Sequence, residues 1–180
     1  MSYGFLARND DGYVMIDGSY FNYAMCAKGT VSTDILKDNF SLKTITVSGL
    51  LNAPVVAVAA TGGAWSEVYH YSSGTASIAI IARGAIGTSV NYYVFDRSHA
   101  PSGSGDYGLR IRNPSTKQVV FDSRDKHMRV VGTVAGDPSD AGSTTVGTFP
   151  SGRTYAVMQY NPMSESRAIN QGGQSPPLWY

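Results

Sequence analysis

No apolar run in this chain is long, and none recurs at the 3.6-residue interval that lays an apolar stripe along a helix. Short stretches rich in Val, Ile, Thr and Tyr alternate with clusters of Gly, Asn, Asp and Ser along nearly the whole length. β-Branched and aromatic residues fit a pleated surface, and the polar clusters supply turns, so this punctuation predicts many short strands. Strands are expected at residues 3–8, 13–17, 20–27, 42–47, 55–60, 65–71, 77–82, 90–95, 107–112, 118–121, 127–131 and 155–160. One helical turn is expected at 33–37, behind a Ser/Thr/Asp cap cluster. The fold class that follows is all-β, a β-sandwich or sandwiches built from short antiparallel strands and hairpins.

Composition agrees. Charged residues make up 15% of the 180 residues and hydrophobic residues 42%, which excludes a disordered chain of the usual low-hydrophobicity, high-charge kind. Glu67 and Glu165 are the only glutamates, so strong surface helix formers are scarce. The net charge of +1 leaves no surplus for neutralising phosphates, and no nucleic-acid partner is expected. Cys26 is the single cysteine, which rules out an intrachain disulfide and CxxC chemistry; lying in an apolar run, it is expected to be a buried, inert thiol. Met1-Ser2-Tyr3-Gly4-Phe5 shows no basic region followed by an apolar stretch, so no signal peptide is expected. The most apolar segment, 54–60, is too short to cross a bilayer as a helix, and no membrane insertion is expected. Synthesis in a cytoplasm then leaves the sequon Asn39-Phe40-Ser41 unused.

The chain repeats itself. Tyr3-Gly4-Phe5-Leu6-Ala7-Arg8-Asn9 is echoed about 105 residues later by Tyr107-Gly108-Leu109-Arg110-Ile111-Arg112-Asn113. A polar turn follows each copy, and each then re-enters a strand: Val14-Met15-Ile16-Asp17 in the first, Val119-Val120-Phe121-Asp122 in the second. Both read as β-hairpins. Either hairpin composition has converged or a β module has been duplicated, with the joint in the Ser/Gly linker before Tyr107. The organisation expected is an N-terminal β module over 1–98, a linker over 99–106, a second β module over 107–160, packed with the first or apart from it, and an extended tail over 161–180. The sequence finishes Pro176-Pro177-Leu178-Trp179-Tyr180. Adjacent prolines pre-set an extended conformation and lower the ordering cost of docking, so Pro176, Pro177, Leu178, Trp179 and Tyr180 are expected to bind a partner or a neighbouring subunit.

Chemistry-bearing motifs are weak. Gly103-Ser104-Gly105-Asp106-Tyr107-Gly108 spells the dinucleotide fingerprint, but it leaves a Ser/Gly linker and enters a β pattern where the motif requires a strand and then a helix. His70, His99 and His127 are far apart and lack zinc-ligand spacing. No GxSxG elbow occurs, and Asn9-Asp10-Asp11-Gly12 lacks the remaining ligands of a calcium loop. No catalytic residue, cofactor or metal is therefore expected, and the chain is not expected to be an enzyme. Two clusters have double readings. Arg110, Arg112, Arg124, Lys126 and Arg129 form either a solvated face offset by Asp122 and Asp125, or a docking surface for an acidic partner or anionic glycan. Trp65, Tyr69, Tyr71, Tyr92 and Tyr93 form either a sugar-stacking platform or ordinary core and interface packing.

Asn91-Tyr92-Tyr93-Val94-Phe95-Asp96, running through the linker into Tyr107-Gly108-Leu109-Arg110-Ile111-Arg112-Asn113 and Val119-Val120-Phe121-Asp122-Ser123-Arg124, resembles small tail-tip or tail-fibre-associated proteins of tailed bacteriophages. The opening Tyr3-Gly4-Phe5 with Ile16-Asp17 fits the same style. The resemblance covers residues 3–25 and 90–131. It implies a structural protein of the virion tail, made in the host cytoplasm, assembling as a homo-oligomer with other virion proteins and aiding host attachment through a surface glycan or receptor. It assigns no functional residue, because the matched positions are hairpin framework. Competing readings are a capsid decoration protein, a free carbohydrate-binding β-sandwich module, and a hydrolase whose triad assembles only in space.

Overall fold

A computed structural model describes residues 6–8, 10, 14–17, 21–97, 107–133, 148–152 and 154–159. Every regular element among them is a β-strand, and all pairings are antiparallel. The strands are β1 (Leu6–Arg8), β2 (Val14–Asp17), β3 (Tyr23–Ser32), β4 (Ile35–Lys37), β5 (Phe40–Ser48), β6 (Val55–Ala59), β7 (Ala64–Ser72), β8 (Thr75–Arg83), β9 (Ser89–Arg97), β10 (Arg110–Arg112), β11 (Val119–Asp122) and β12 (Val157–Met158). Two four-stranded sheets, ordered β12-β6-β9-β3 and β4-β5-β8-β7, form a sandwich-like body. Two further hairpins, β1-β2 and β10-β11, form separate two-stranded sheets.

The period of two in the sequence builds the core. Ala76, Ile78, Ile80 and Ala82 of β8 are wholly buried and face Val56 and Val58 of β6 and Val90 and Val94 of β9, with Leu50 closing the cluster. Gly29 of β3 lies directly opposite Tyr92 of β9. A Cβ there would meet the Tyr92 ring at 2.6–2.9 Å, so the missing side chain is what lets the ring lie down over the strand and reach the core.

Buried polar groups clasp the two ends of the sandwich. At one end Thr33 and Ser41, both buried, form a relay: Thr33 Oγ1 donates to Ser41 Oγ at 2.8 Å, and Ser41 Oγ donates to the Ala85 carbonyl at 2.9 Å. The Thr88 amide donates to Thr33 Oγ1 at 3.1 Å, which ties the β3–β4 and β8–β9 crossovers together. At the other end the fully buried carboxylate of Asp96 accepts the amide of Leu51 and, at 3.2 Å, that of Asn52. This fixes the β5–β6 crossover so that Leu50 enters the core. The Leu50 amide also donates to the Gly74 carbonyl at 2.9 Å, docking the Ser73-Gly74 turn, whose φ values of 49° and 75° suit a two-residue hairpin.

The repeated hairpins share their register. In the first, Leu6, Ala7 and Arg8 pair with Asp17, Ile16 and Val14, with a bulge between Ala7 and Arg8. In the second, Arg110, Ile111 and Arg112 pair with Asp122, Phe121 and Val119, with a bulge between Ile111 and Arg112. The loop of the second is held by Asn113, whose side-chain oxygen accepts the amides of Ser115 and Thr116 at 2.9 and 3.0 Å, and Lys117 takes a left-handed φ of 61°. Counted back from Val14 and Val119, Gly12 is the residue that corresponds to Lys117.

The second hairpin is stitched to the edge of β3. The Asn22 amide and Nδ2 both donate to the Val120 carbonyl, at 3.1 and 2.9 Å, and Ala24 bridges His127. Within that bridge the Met128 amide donates to the Tyr23 carbonyl at 2.9 Å, and these two residues stand equally far beyond Asp122 and Asp17. The segments that follow the two hairpins thus meet antiparallel about corresponding positions. β12, from beyond the second hairpin, completes the first sheet by pairing Val157 and Met158 with Val58 and Ala57.

Three local expectations are corrected. Residues 33–37 form no helical turn: Thr33 is spent on the buried relay and Ile35–Lys37 pairs with β5 as a strand. The expected strand at 127–131 is reduced to the single bridge at His127. Cys26 is exposed because it is the extra residue of a bulge between Met25 and Ala27; its pKa is raised by partial desolvation and then by the charge of Asp96, and its thiol donates to the Val94 carbonyl.

Two stability predictions follow from the clasps and the loop. Asp96→Ala strips the acceptor from two amides and is expected to lower stability by about 3 kcal/mol, read as a lower urea midpoint at unchanged slope. Lys117→Gly relieves a left-handed backbone and is expected to raise stability by roughly 0.5–1 kcal/mol in the same measurement.

Candidate binding surface

The residues singled out by sequence are dispersed by the fold. Tyr71 and Tyr92 pack against the core, whereas Tyr93 lies on the outer face of the first sheet, opposite Ala57 and Lys28. Tyr69 sits at a bulge in β7 and is exposed, and Trp65 lies on the outer face of the second sheet. The five aromatics therefore make no common platform. His70 pairs opposite Ser77 and His127 lies beside the second hairpin, while His99 and most of the Gly103–Gly108 fingerprint lie outside the described residues. Among the described residues no group of three His, Cys, Asp or Glu side chains could hold a metal ion. No helix among them is long and apolar enough to cross a membrane. A recess of about 340 Å³ is lined by Ala59, Ala60, Thr61, Ser89 and Asn91, and none of these titrates near neutrality. Pro176, Pro177, Leu178, Trp179 and Tyr180 lie outside the described residues, as do the linker at 99–106 and the rest of the tail at 161–180.

Two members of the basic cluster, Arg110 and Arg124, converge on Asp122. This residue has no exposed surface, and its carboxylate accepts from Arg124 Nε at 2.8 Å, Arg124 Nη2 at 2.6 Å, the Arg124 amide at 3.1 Å and Arg110 Nε at 2.8 Å. His127 Nε2 donates to the Asp122 carbonyl at 2.8 Å, and the imidazole stacks on Phe121 with ring centroids 4.5 Å apart. Arg112 donates to the Lys117 carbonyl at 3.0 Å. Three of the arginines thus hold the second hairpin and its loop. Arg110, Arg112, Lys126 and Arg129 are exposed, a solvated face on which Arg110, with Arg124, is offset by the buried Asp122. The Arg124 hydrogen bonds hold the Asp122 carboxyl well below the ordinary carboxylate range; burial opposes them and Arg110 reinforces them.

A different surface emerges from the register of the second sheet. Ile35 of β4 pairs with Leu42 of β5, Leu42 with Ile81 of β8, and Ile81 with Trp65 of β7. Directly opposed residues share a face, so these four side chains form one apolar row across the full width of the sheet, on the side away from the core. Phe40 joins it, meeting the Trp65 ring edge to face with centroids 4.9 Å apart and planes at 84°. Ile35 is 51% and Phe40 38% exposed. Lys37 and Arg83 flank Phe40 in the next row, while Thr44, Ala79 and Glu67 line the other side. The outer face of the first sheet is mixed: Val55, Phe95 and Met25 oppose one another across three strands, beside Ala57, Tyr93 and Lys28, and Thr30 Oγ1 donates to Asn91 Oδ1 at 2.6 Å. An antiparallel sheet that meets water on one face normally alternates apolar-in and polar-out, and the row of the second sheet departs from that pattern.

Sequence reasoning found only Trp65 in this row. Phe40 was read as the middle of a sequon and Ile35 as part of a helical turn, and the grouping exists only once four strands are in register. Comparison of the chain with protein-family models, with curated proteins and with solved structures found no match.

The Asp122 knot has a defined acid response. The folded carboxyl lies below its unfolded value near 4, so its stabilisation is complete above that range and is lost as pH falls through the folded value. The Arg124 Nε–H resonance is expected to hold its position from neutral pH to about 4 and to move only in stronger acid; movement at pH 5 would contradict the knot.

Proposed function

We propose that this chain is a structural protein of a bacteriophage tail, placed at the tail tip or fibre, which assembles with copies of itself and with other virion proteins. The observation that carries the structural part of this reading is the apolar row Ile35–Leu42–Ile81–Trp65, a surface suited to contact with another polypeptide. The rest of the described molecule supports it: charged side chains are scarce, buried polar groups are spent on clasping crossovers, and the three arginines of the second hairpin are committed to holding it. The tail assignment rests on the resemblance of residues 3–25 and 90–131 to tail proteins. Host attachment through a glycan or receptor belongs to the same proposal and is assigned no residues.

A free carbohydrate-binding module has less behind it, since Tyr71 and Tyr92 are turned into the core and Trp65 packs against the Phe40 ring. A capsid decoration protein shares the subunit contacts and differs only in its place on the particle.

Sedimentation of the purified full chain over about two decades of concentration tests the structural reading, with oligomers expected to accumulate as concentration rises. A monomer throughout that range, combined with measurable glycan binding, would replace it with the carbohydrate-binding reading. Gold-labelled antibody on intact particles is expected to mark the tail end; label on the capsid shell would replace tail with decoration.

A further inference from the structure

We infer that the arginine line of the second hairpin, Arg124, Arg110 and Arg112, binds the carboxylates of an acidic polysaccharide, with Tyr107 beside it to stack on a sugar ring. This gives residues to the glycan contact within the tail reading, and it rests on that reading only for the source of the glycan.

Charge is the first support. Of the 14 Lys and Arg side chains, six lie within residues 107–133, against two of the 13 Asp and Glu. A surplus of four thus sits on one hairpin and the segment after it, in a chain whose net charge is +1. The balance of the chain is acidic, which disfavours a long polyanion wrapped around the molecule and favours a short local contact.

Geometry is the second. Arg110 and Arg112 stand two residues apart on β10, both exposed, while Ile111 between them is buried. Their side chains project on one side about 7 Å apart, at ~3.4 Å per residue. Arg124 extends the line. Its stem lies across Gly108, where a Cβ would meet Ser123 Oγ at 2.9 Å and Arg124 Cγ at 3.2 Å. The bare position 108 thus lets Arg124 reach Asp122, which lies buried beneath and offsets Arg110 and Arg124 with a single charge.

Holding the hairpin uses only part of this donor capacity. Arg110 gives its Nε to Asp122 and Arg112 gives one Nη to the Lys117 carbonyl, and no described residue accepts from their other nitrogens. Planar forks fixed at one atom and open at the rest are pre-organised to meet a carboxylate in a bidentate pair.

Tyr107 decides between polyanions. It is 94% exposed and adjoins Gly108 at the end of the line. A ring bare to water beside fixed cations suits a sugar whose apolar face stacks while its carboxylate pairs. A protein partner is anchored by apolar side chains that fill pockets, and the line offers cations lying over glycine instead.

The test titrates the full chain with hexagalacturonate, a carboxylated oligosaccharide, and follows the arginine Nε–H resonances. Those of Arg110 and Arg112 are expected to move together while that of Arg83 on β8 stays still. Binding is expected to weaken as salt rises. It is expected to fall roughly tenfold in Arg112→Gln and in Arg110→Lys, which keeps a charge beside Asp122. Lys28→Gln removes the same charge from β3 and is expected to bind as the parent does. Circular dichroism and a retained Arg124 Nε–H resonance establish that each variant keeps its hairpin. No movement at millimolar oligosaccharide would overturn the inference, as would an equal loss in Lys28→Gln. Tighter binding of a hexaglutamate peptide or a heparin hexasaccharide would also overturn it, by assigning the line to an acidic protein or a sulfated glycan. Sedimentation decides assembly separately, so failure here leaves the subunit reading standing.

Discussion

A carboxylate with no exposed surface sets the frame of this molecule. Asp96 ends β9 inside the sandwich, where an ionised group survives only if donors replace its water. Two successive amides, of Leu51 and Asn52, do so, and that fixes how the chain crosses from the second sheet to the first. Leu50 enters the core as a consequence, and its amide catches the Ser73-Gly74 turn. There is no room for looser geometry at that turn: a Cβ on Gly74 would lie 2.8 Å from the Leu50 carbonyl oxygen. The Thr33–Ser41–Ala85 relay does the same work at the opposite end without charge.

The sheets were legible in the sequence because alternation is a local property. β8 reads Ala-Ser-Ile-Ala-Ile-Ile-Ala, and its buried positions follow from the period of two. The repeated hairpin was legible for the same reason, and its register and bulge recur in the structure because the pattern of apolar residues admits few alternatives. What escaped depends on relations between segments. Cys26 is exposed through a bulge that no propensity marks. Ile35 was hidden by a cap-like cluster whose threonine serves a tertiary relay instead. The burial of Asp122 is decided by how the second hairpin docks, and the apolar row exists only across four strands.

Both sheets carry apolar side chains on their outer faces, the first as Val55–Phe95–Met25 beside a lysine, a threonine and an asparagine. The second shows isoleucine, leucine and tryptophan, bounded by Lys37 and Arg83 on one side and Glu67 on the other. Bounding charge limits the directions from which a flat apolar strip can be covered, because a partner must leave those groups solvated or meet them with matching ones. The charged flanks thus act on orientation, and the strip itself supplies the adhesion.

The bridge between Tyr23 and Met128 joins the segments that follow two hairpins of like register. Corresponding positions meet antiparallel there, in the manner of two identical subunits closing around a twofold axis. Since one polypeptide provides both halves, the junction costs no encounter between molecules, and it stays shut however sparse the protein becomes.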